Sequence, residues 1–256
     1  MSNEDSSKLG NPSPSRHLAW PQCYNTRDLG GLPARDGKVT RWRSVIRSDM
    51  LNRLTETGQQ ALLDYGVKTI IDLRSPQEAE KEPSITLINP DLPLDYMNLP
   101  LEKYYPHVGA LIRQAISRAE VYCIILDHYP DSVAEVMRAI ARAQPGGIIV
   151  HCQSGTDRTG IVSALLLKLI GVHPNIIAAD YAKSQVRLWP LYEKIMAETK
   201  DKSEVDFWQR PTATADMMVT LLEHIDTRHG GVENYLHASG LSSNEIDLLK
   251  NRMLGA

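Results

Sequence analysis

The stretch His151-Cys152-Gln153-Ser154-Gly155-Thr156-Asp157-Arg158-Thr159-Gly160 decides how the rest of the chain reads. An apolar run from Gly147 to Val150 leads into it and predicts a buried strand. Ile161 to Ile170 leads out of it and is long enough for a buried helix. A cysteine therefore stands where a strand stops and a helix begins, and an arginine follows after five residues. Backbone N–H groups at a helix N-terminus lack intrahelical acceptors and carry partial positive charge, so a loop wrapped there holds an anion. The same field favours the thiolate form of a cysteine. Gln153, Ser154, Gly155, Thr156 and Asp157 have the length to curl so that their N–H groups converge on a tetrahedral oxyanion. Gly155, lacking a Cβ, permits the tight bend. Arg158 closes the ring with a planar fork that matches two phosphate oxygens.

These ten residues resemble the signature loop of the cysteine-dependent protein tyrosine phosphatase superfamily. The string HCQSGTDRTG is similar to the HCxxGKDRTG form of the bacterial and fungal tyrosine/serine phosphatases, a group that includes phosphoinositide-active members. The resemblance implies that Cys152 attacks phosphorus to form a cysteinyl-phosphate. Arg158 and the loop amides would hold the equatorial oxygens, and water would hydrolyse the intermediate. It implies neither a metal nor a cofactor. Thr159 would donate its hydroxyl to the departing sulfur or cap the following helix. His151 is expected to pack behind the loop, because its side chain points to the opposite side of the strand from Cys152. Thr156 stands where lipid-active relatives carry lysine. That weakens the case for polyphosphorylated inositides and leaves single phosphates, such as phosphotyrosine.

The resemblance extends outward. Asn25-Thr26-Arg27-Asp28-Leu29-Gly30-Gly31 is similar to the NxRDLGG element near the start of the same family, and Val39 to Ser48 to its strand ending in Arg47-Ser48. Arg27, Asp28 and Arg47 are candidates for bracing the phosphate loop. Val67 to Arg74 predicts a core strand whose tail, Asp72-Leu73-Arg74-Ser75, is similar to the family's IDLRS string. Chemistry in an open α/β sheet gathers beyond the carboxyl ends of strands, which makes Asp72 a general-acid candidate. It is equally readable as a partner of Arg74. Asp157 is the second candidate, for acid, for orienting water or for fixing Arg158, and the sequence does not separate the two.

Between these landmarks the apolar spacing predicts a helix from Thr55 to Tyr65 stopped by Gly66, a helical turn over Pro76–Glu82 and a strand over Leu94–Leu99. Two helices follow, Tyr105–Ser117 and Arg118–Tyr129, which in related phosphatases form a lid. Tyr104, Tyr105 and Tyr122 are candidates to line it. Further helices are predicted at Asp131–Gln144 with Asp131 as N-cap, Asn175–Val186, Leu191–Thr199, Thr212–Thr227, Val232–Ala238 and Ser242–Leu254, with Lys200–Arg210 as a charged link. Strands alternating with helices argue for an α/β domain with a largely parallel sheet flanked by helices, as in protein tyrosine phosphatases, and a helix-rich C-terminal third.

At 256 residues the chain suits one core. Residues 1–16, rich in Ser, Asn, Pro and charge, read as a disordered arm, and 17–256 as a single phosphatase domain. A net charge of −3 gives no footprint for nucleic acid. Cys23, Cys123 and Cys152 suggest neither a disulfide framework nor a zinc cluster. No signal peptide or membrane span is visible, so a cytoplasmic location is expected, with secretion by another route left open. The expected activity is that of a protein-tyrosine phosphatase acting on a phosphotyrosine protein or small phosphomonoester, with dual specificity or phosphoinositide turnover as alternatives. A persulfide-carrying sulfurtransferase and a phosphate-binding module without turnover are the rival readings.

Overall fold

The run Gly147–His151 lies at the centre of a five-stranded sheet. The computed structural model describes residues 15–199 and 210–254. In chain order its strands are β1 (Arg27–Asp28), β2 (Val45–Ser48), β3 (Val67–Asp72), β4 (Asp95–Asn98) and β5 (Gly147–His151). The spatial order is β1-β2-β5-β3-β4, with β1 antiparallel to β2 and every other pairing parallel. The described helices are α1 (Glu56–Asp64), α2 (Pro76–Lys81), α3 (Ile85–Ile88), α4 (Pro106–Gln114), α5 (Arg118–His128), α6 (Pro130–Arg142), α7 (Asp157–Leu169), α8 (Pro174–Glu198), α9 (Ala215–His229), α10 (Val232–Ala238) and α11 (Ser243–Leu254). The expected α/β architecture and helix-rich C-terminal third are both present.

The central strands are apolar on both faces because both faces are covered. Val45, Ile71, Ile148 and Val150 join one core with α5, α6, α7, α9, α10 and α11. Ile46, Ile70 and Ile149, one residue out of phase, join a second with Leu18, Trp20 and Leu62. Helix α7 is buried nearly all round, from Thr159 to Leu167, which explains an apolar run without an amphipathic period.

Several boundaries differ from the sequence reading. The strand expected over Val39–Ser48 is confined to Val45–Ser48, since Arg43 adopts φ 59° and turns the chain before pairing begins. Asp131 lies in the first turn of α6, and the cap position falls to Tyr129 because Pro130 has the fixed φ suited to the first helical residue. The two helices expected over Asn175–Val186 and Leu191–Thr199 are one, α8, running through Pro190. Pro190 and Val186, whose carbonyl loses its helical donor, are both exposed, where water can take up the freed group. The short α3 was not foreseen. Of the expected N-terminal arm, residues 1–14 lie outside the described residues, but Arg16 is anchored: its guanidinium bonds the Asp28 carbonyl at 3.0 Å and the Asp180 carboxylate at 2.7 Å. The charged link lies outside the described residues apart from Arg210. No described helix is long and apolar enough to cross a membrane.

Candidate active site

Beyond β5 the chain folds back on the end of β2, and donors behind it take up its carbonyls. Met50 N–H donates to Gln153 O at 3.1 Å, Asn25 Nδ2 to Ser154 O at 2.9 Å and Arg47 to Gly155 O at 2.8 Å. In a trans peptide the N–H points opposite to the C=O. Three carbonyls turned outward therefore turn the amides of Ser154, Gly155 and Thr156 inward, toward the mouth of α7. Gly155 has φ +67°, and a Cβ there would lie 2.3 Å from the Ser48 carbonyl oxygen. The expected bend at Gly155 is thus required twice, by conformation and by contact.

The braces themselves are buried. Arg47 and Arg27 both bond the Asp180 carboxylate, and Arg27 also bonds Asn25 Oδ1 at 2.6 Å, fixing the residue that holds Ser154. Burial would raise the Asp180 carboxyl, yet three surrounding guanidinium groups hold it far below the usual carboxylate range. Asp28 plays a different part. It accepts from the Gly30 and Arg43 amides and from Tyr65 Oη, organising the turn ahead of β2 rather than the phosphate loop.

The loop floors a cavity of about 790 Å³. Cys152, Gln153, Ser154, Asp157 and Arg158 line it from below, while Gly155 and Thr156 sit in the back of the loop. Ile112 of α4 with Val121, Tyr122 and Ile125 of α5 form one wall, and Leu188, Leu191, Tyr192 and Ile195 of α8 form another. The region read as a lid thus does border the site. Of its three candidate tyrosines only Tyr122 lines the cavity. Tyr104 is 90% exposed, and Tyr105 stacks on Tyr129 at 5.6 Å.

Arg158 is held by two parallel bonds to Glu78, at 2.7 and 2.8 Å, and by Glu102 at 3.8 Å. Burial alone would raise the Glu78 carboxyl, but the Arg158 guanidinium and the Ser75 amide bring it down to about 2. Glu78 is placed by a capping box with Ser75 at the start of α2. The sequence reading did not single out this glutamate: the Ser75-to-Glu78 spacing places it at the start of its helix but does not point to Arg158. Glu102 is displaced upward by burial and by its neighbours Glu78 and Asp157.

The two carboxylates that the sequence could not separate have distinct surroundings. Asp72 is fully buried and does not line the cavity. It accepts from the Arg74 amide at 3.0 Å, from Arg74 Nε and NH2 at 2.9 and 2.6 Å and from Tyr96 Oη at 3.0 Å. Burial raises its carboxyl, but the Arg74 hydrogen bonds and the His151 and Arg74 charges outweigh it and hold the group below its ordinary value. This carboxylate is thus engaged by Arg74 and Tyr96 and stands away from the cavity. Asp157 opens α7, faces the cavity, accepts a hydrogen bond from Tyr122 Oη and lies 3.6 Å from Arg118. Tyr122 in turn meets Tyr181 Oη at 2.6 Å.

His151 is buried, and burial lowers its pKa against the opposing pull of the Asp72 carboxylate 3.7 Å away. Its Nδ1 bonds the Cys152 carbonyl at 3.1 Å, which places it behind the loop. Cys152 is 2% exposed at the cavity floor. Thr159 Oγ1 and Thr156 Oγ1 are buried without a hydrogen-bond partner among the described residues. Gln153 Nε2 bonds Glu82 at 2.6 Å on the cavity rim.

Residues 18–255 match the model of the tyrosine phosphatase family. A tyrosine-protein phosphatase of Nostoc commune is 30% identical over 226 residues, covering 82% of this chain and 74% of that protein. A putative tyrosine-protein phosphatase of Cupriavidus necator is 27% identical over 234 residues, 86% and 83% of the two chains. The triple specificity protein phosphatase PtpB of Mycobacterium tuberculosis is 24% identical over 277 residues, 92% and 98% of the two chains.

Proposed function

Since the chain belongs to the tyrosine phosphatase family, we propose that Cys152, Arg158 and Asp157 carry its phosphomonoesterase reaction and that phosphotyrosine is the preferred substrate. The protein is a cysteine-dependent protein-tyrosine phosphatase. The observation that supports these roles most is the loop whose carbonyls at Gln153, Ser154 and Gly155 are drawn outward, leaving an inward ring of amides above Cys152.

In this reading the Cys152 thiolate attacks phosphorus and the ester oxygen departs with a proton from Asp157. The inward amides and the Arg158 fork take the three remaining oxygens as charge shifts onto them. Water then attacks the cysteinyl-phosphate, Asp157 accepts its proton, and the free hydroxyl of Thr159 assists the departing sulfur. Tyr122, donating to Asp157, fixes the direction of that carboxylate.

The preference for phosphotyrosine rests on the walls. Aliphatic side chains of α4, α5 and α8 line the cavity and offer an aromatic ring apolar contacts. The cations Arg53, Lys81 and Arg158 are outnumbered by Glu78, Glu82, Glu102 and Asp157 in the same lining, a balance unfavourable to substrates bearing several phosphates. Arg158, with the amides, suffices for one phosphate.

The test is phosphate release from an aryl phosphate across pH 4.5–8 by the native protein, Cys152→Ser, Asp157→Asn and Asp72→Asn. Cys152→Ser is expected to be inactive. Asp157→Asn should lose the basic limb of the pH–rate profile, and Asp72→Asn should retain it. A profile flattened by Asp72→Asn but not by Asp157→Asn would return the acid role to Asp72.

A further inference from the structure

Helices α5 and α9 pack side by side, and both end in the same neighbourhood. Asp127 lies in the last turn of α5, His229 is the last residue of α9, and His224 stands five residues before it. Both imidazole Nε2 atoms approach one atom, Asp127 Oδ1, each at 2.9 Å. The three groups are neither buried nor fully exposed, with side-chain exposures of 22% for His224, 19% for His229 and 25% for Asp127. None of them lines the cavity above Cys152, and the phosphatase chemistry leaves them unused.

We propose that Asp127, His224 and His229 form a binding site for a single divalent transition-metal ion of the zinc class, tying the end of α5 to the end of α9. Three arguments meet here. The first is donor type: two imidazoles and one carboxylate are a ligand set that zinc takes, with water completing the tetrahedron. The second is spacing. The three ligand atoms lie within 4.8 Å of one another. Ligands about 2.1 Å from a tetrahedral ion stand roughly 3.4 Å apart, so an opening of about half an ångström in each contact admits the ion. The third is field. The C-terminal ends of α5 and α9 both carry partial negative charge, and a cation placed between them is stabilised by both.

The rings are also held in orientation. His229 packs edge-on against Tyr235 with centroids 4.8 Å apart, and against His224 at 5.5 Å. Tyr235 Oη donates to the Leu126 carbonyl at 3.0 Å, so the ring supporting His229 is fixed to the residue beside Asp127. The partial exposure leaves a route for the ion and room for a water ligand. Because α5 also supplies Val121, Tyr122 and Ile125 to the cavity wall, an ion here fixes the helix that aims Tyr122 at Asp157.

The full chain carrying Cys152→Ser, which removes the catalytic thiolate as a competing ligand, is titrated with Zn²⁺ by calorimetry and with Co²⁺ by visible absorption. The expected result is one equivalent of each ion, with cobalt d–d bands and no sulfur-to-cobalt charge-transfer band. Adding His224→Gln or His229→Gln should weaken binding by more than about 100-fold, beyond the 10–100-fold typical of changes outside the ligand shell. Circular dichroism checks that each variant is folded. Should His229→Gln fail that check, the more exposed His224→Gln decides. No binding to the Cys152→Ser chain, binding undiminished by the histidine substitutions, or a cobalt spectrum with sulfur ligation overturns the proposal.

Discussion

Substituting Gly155 by alanine tests the loop at the point where its geometry is most constrained. A Cβ at that residue would stand 2.3 Å from Ser48 O, 2.5 Å from Ser48 C and 2.6 Å from Asp49 N. All three are backbone atoms at the end of β2, which is pinned by parallel pairing to β5. Reaching the 3.0 Å below which real Cβ contacts essentially never fall requires the loop to retreat by about 0.7 Å, the difference from 2.3 Å. The retreat carries the loop amides into the space the phosphate needs. A misplacement near 1 Å costs on the order of 100-fold in rate, so kcat/KM for an aryl phosphate should fall roughly 30- to 100-fold, or about 2–2.7 kcal/mol of transition-state stabilisation. Stability falls too. The left-handed backbone at φ +67° costs a residue with a Cβ about 1–2 kcal/mol, and overpacking adds about 1–3 kcal/mol. Steady-state kinetics and urea unfolding read the two effects separately. A folded Gly155→Ala protein that keeps kcat/KM within about threefold of native would refute the claim that these amides cradle the transferring phosphoryl group.

Other substitutions should separate along the lines drawn by the structure. Asp72→Asn leaves Arg74 buried without its partner and should cost about 3–5 kcal/mol in urea unfolding. Because the folded Asp72 carboxyl lies below its unfolded value, its contribution is complete above the unfolded value of about 3.9 and is lost as pH falls through the folded one, so the penalty should shrink below about pH 4. Asp180→Asn follows the same sign, since Asp180 is also depressed in the fold, but it should lower kcat as well, through Arg47 and its bond to Gly155. Equal kcat for Asp180→Asn and native protein would count against that brace. Tyr122→Phe keeps the ring and removes the bond to Asp157, a charge-assisted contact worth about 1.5–3 kcal/mol. It should reduce kcat about tenfold or more with KM little changed, whereas a rise in KM alone would place Tyr122 in substrate binding.

What the sequence disclosed, and where it misled, follows from how far each signal reaches. Cys152, Gly155 and Arg158 act through backbone placement between a strand and a helix, and that placement is written locally in Gly147–Val150 and Ile161–Ile170. The rule that chemistry gathers beyond strand ends located the Cα of Asp72 but not the direction of its side chain. The register supplies it: Asp72 is paired with His151 across β3 and β5, so the two side chains share a face, and it is the face turned from Cys152. Glu78 was missed because its partner is eighty positions away. A capping box announces where a residue sits on its own helix and says nothing of a distant arginine. The two-helix reading of 175–199 failed for a related reason. Proline is a strong local breaker, yet at an exposed site, on a helix packed against α9, tertiary contacts outweigh it.

The cluster around Asp180 bears on more than the shape of the loop. Arg16, Arg27 and Arg47 share this one carboxylate, and Arg47 reaches from it to the loop carbonyl at Gly155. Only Arg16, at 15% exposure, has water to share its charge. A surplus of positive charge is thus sealed in behind the loop, and its field favours an oxyanion bound in front of it. Bound phosphate is in this sense a structural component as well as a substrate fragment. The filled protein should melt higher than the empty one by the mass-action term RT ln(1 + [L]/Kd), and buffers containing phosphate or sulfate should act as stabilisers at concentrations that also inhibit the enzyme.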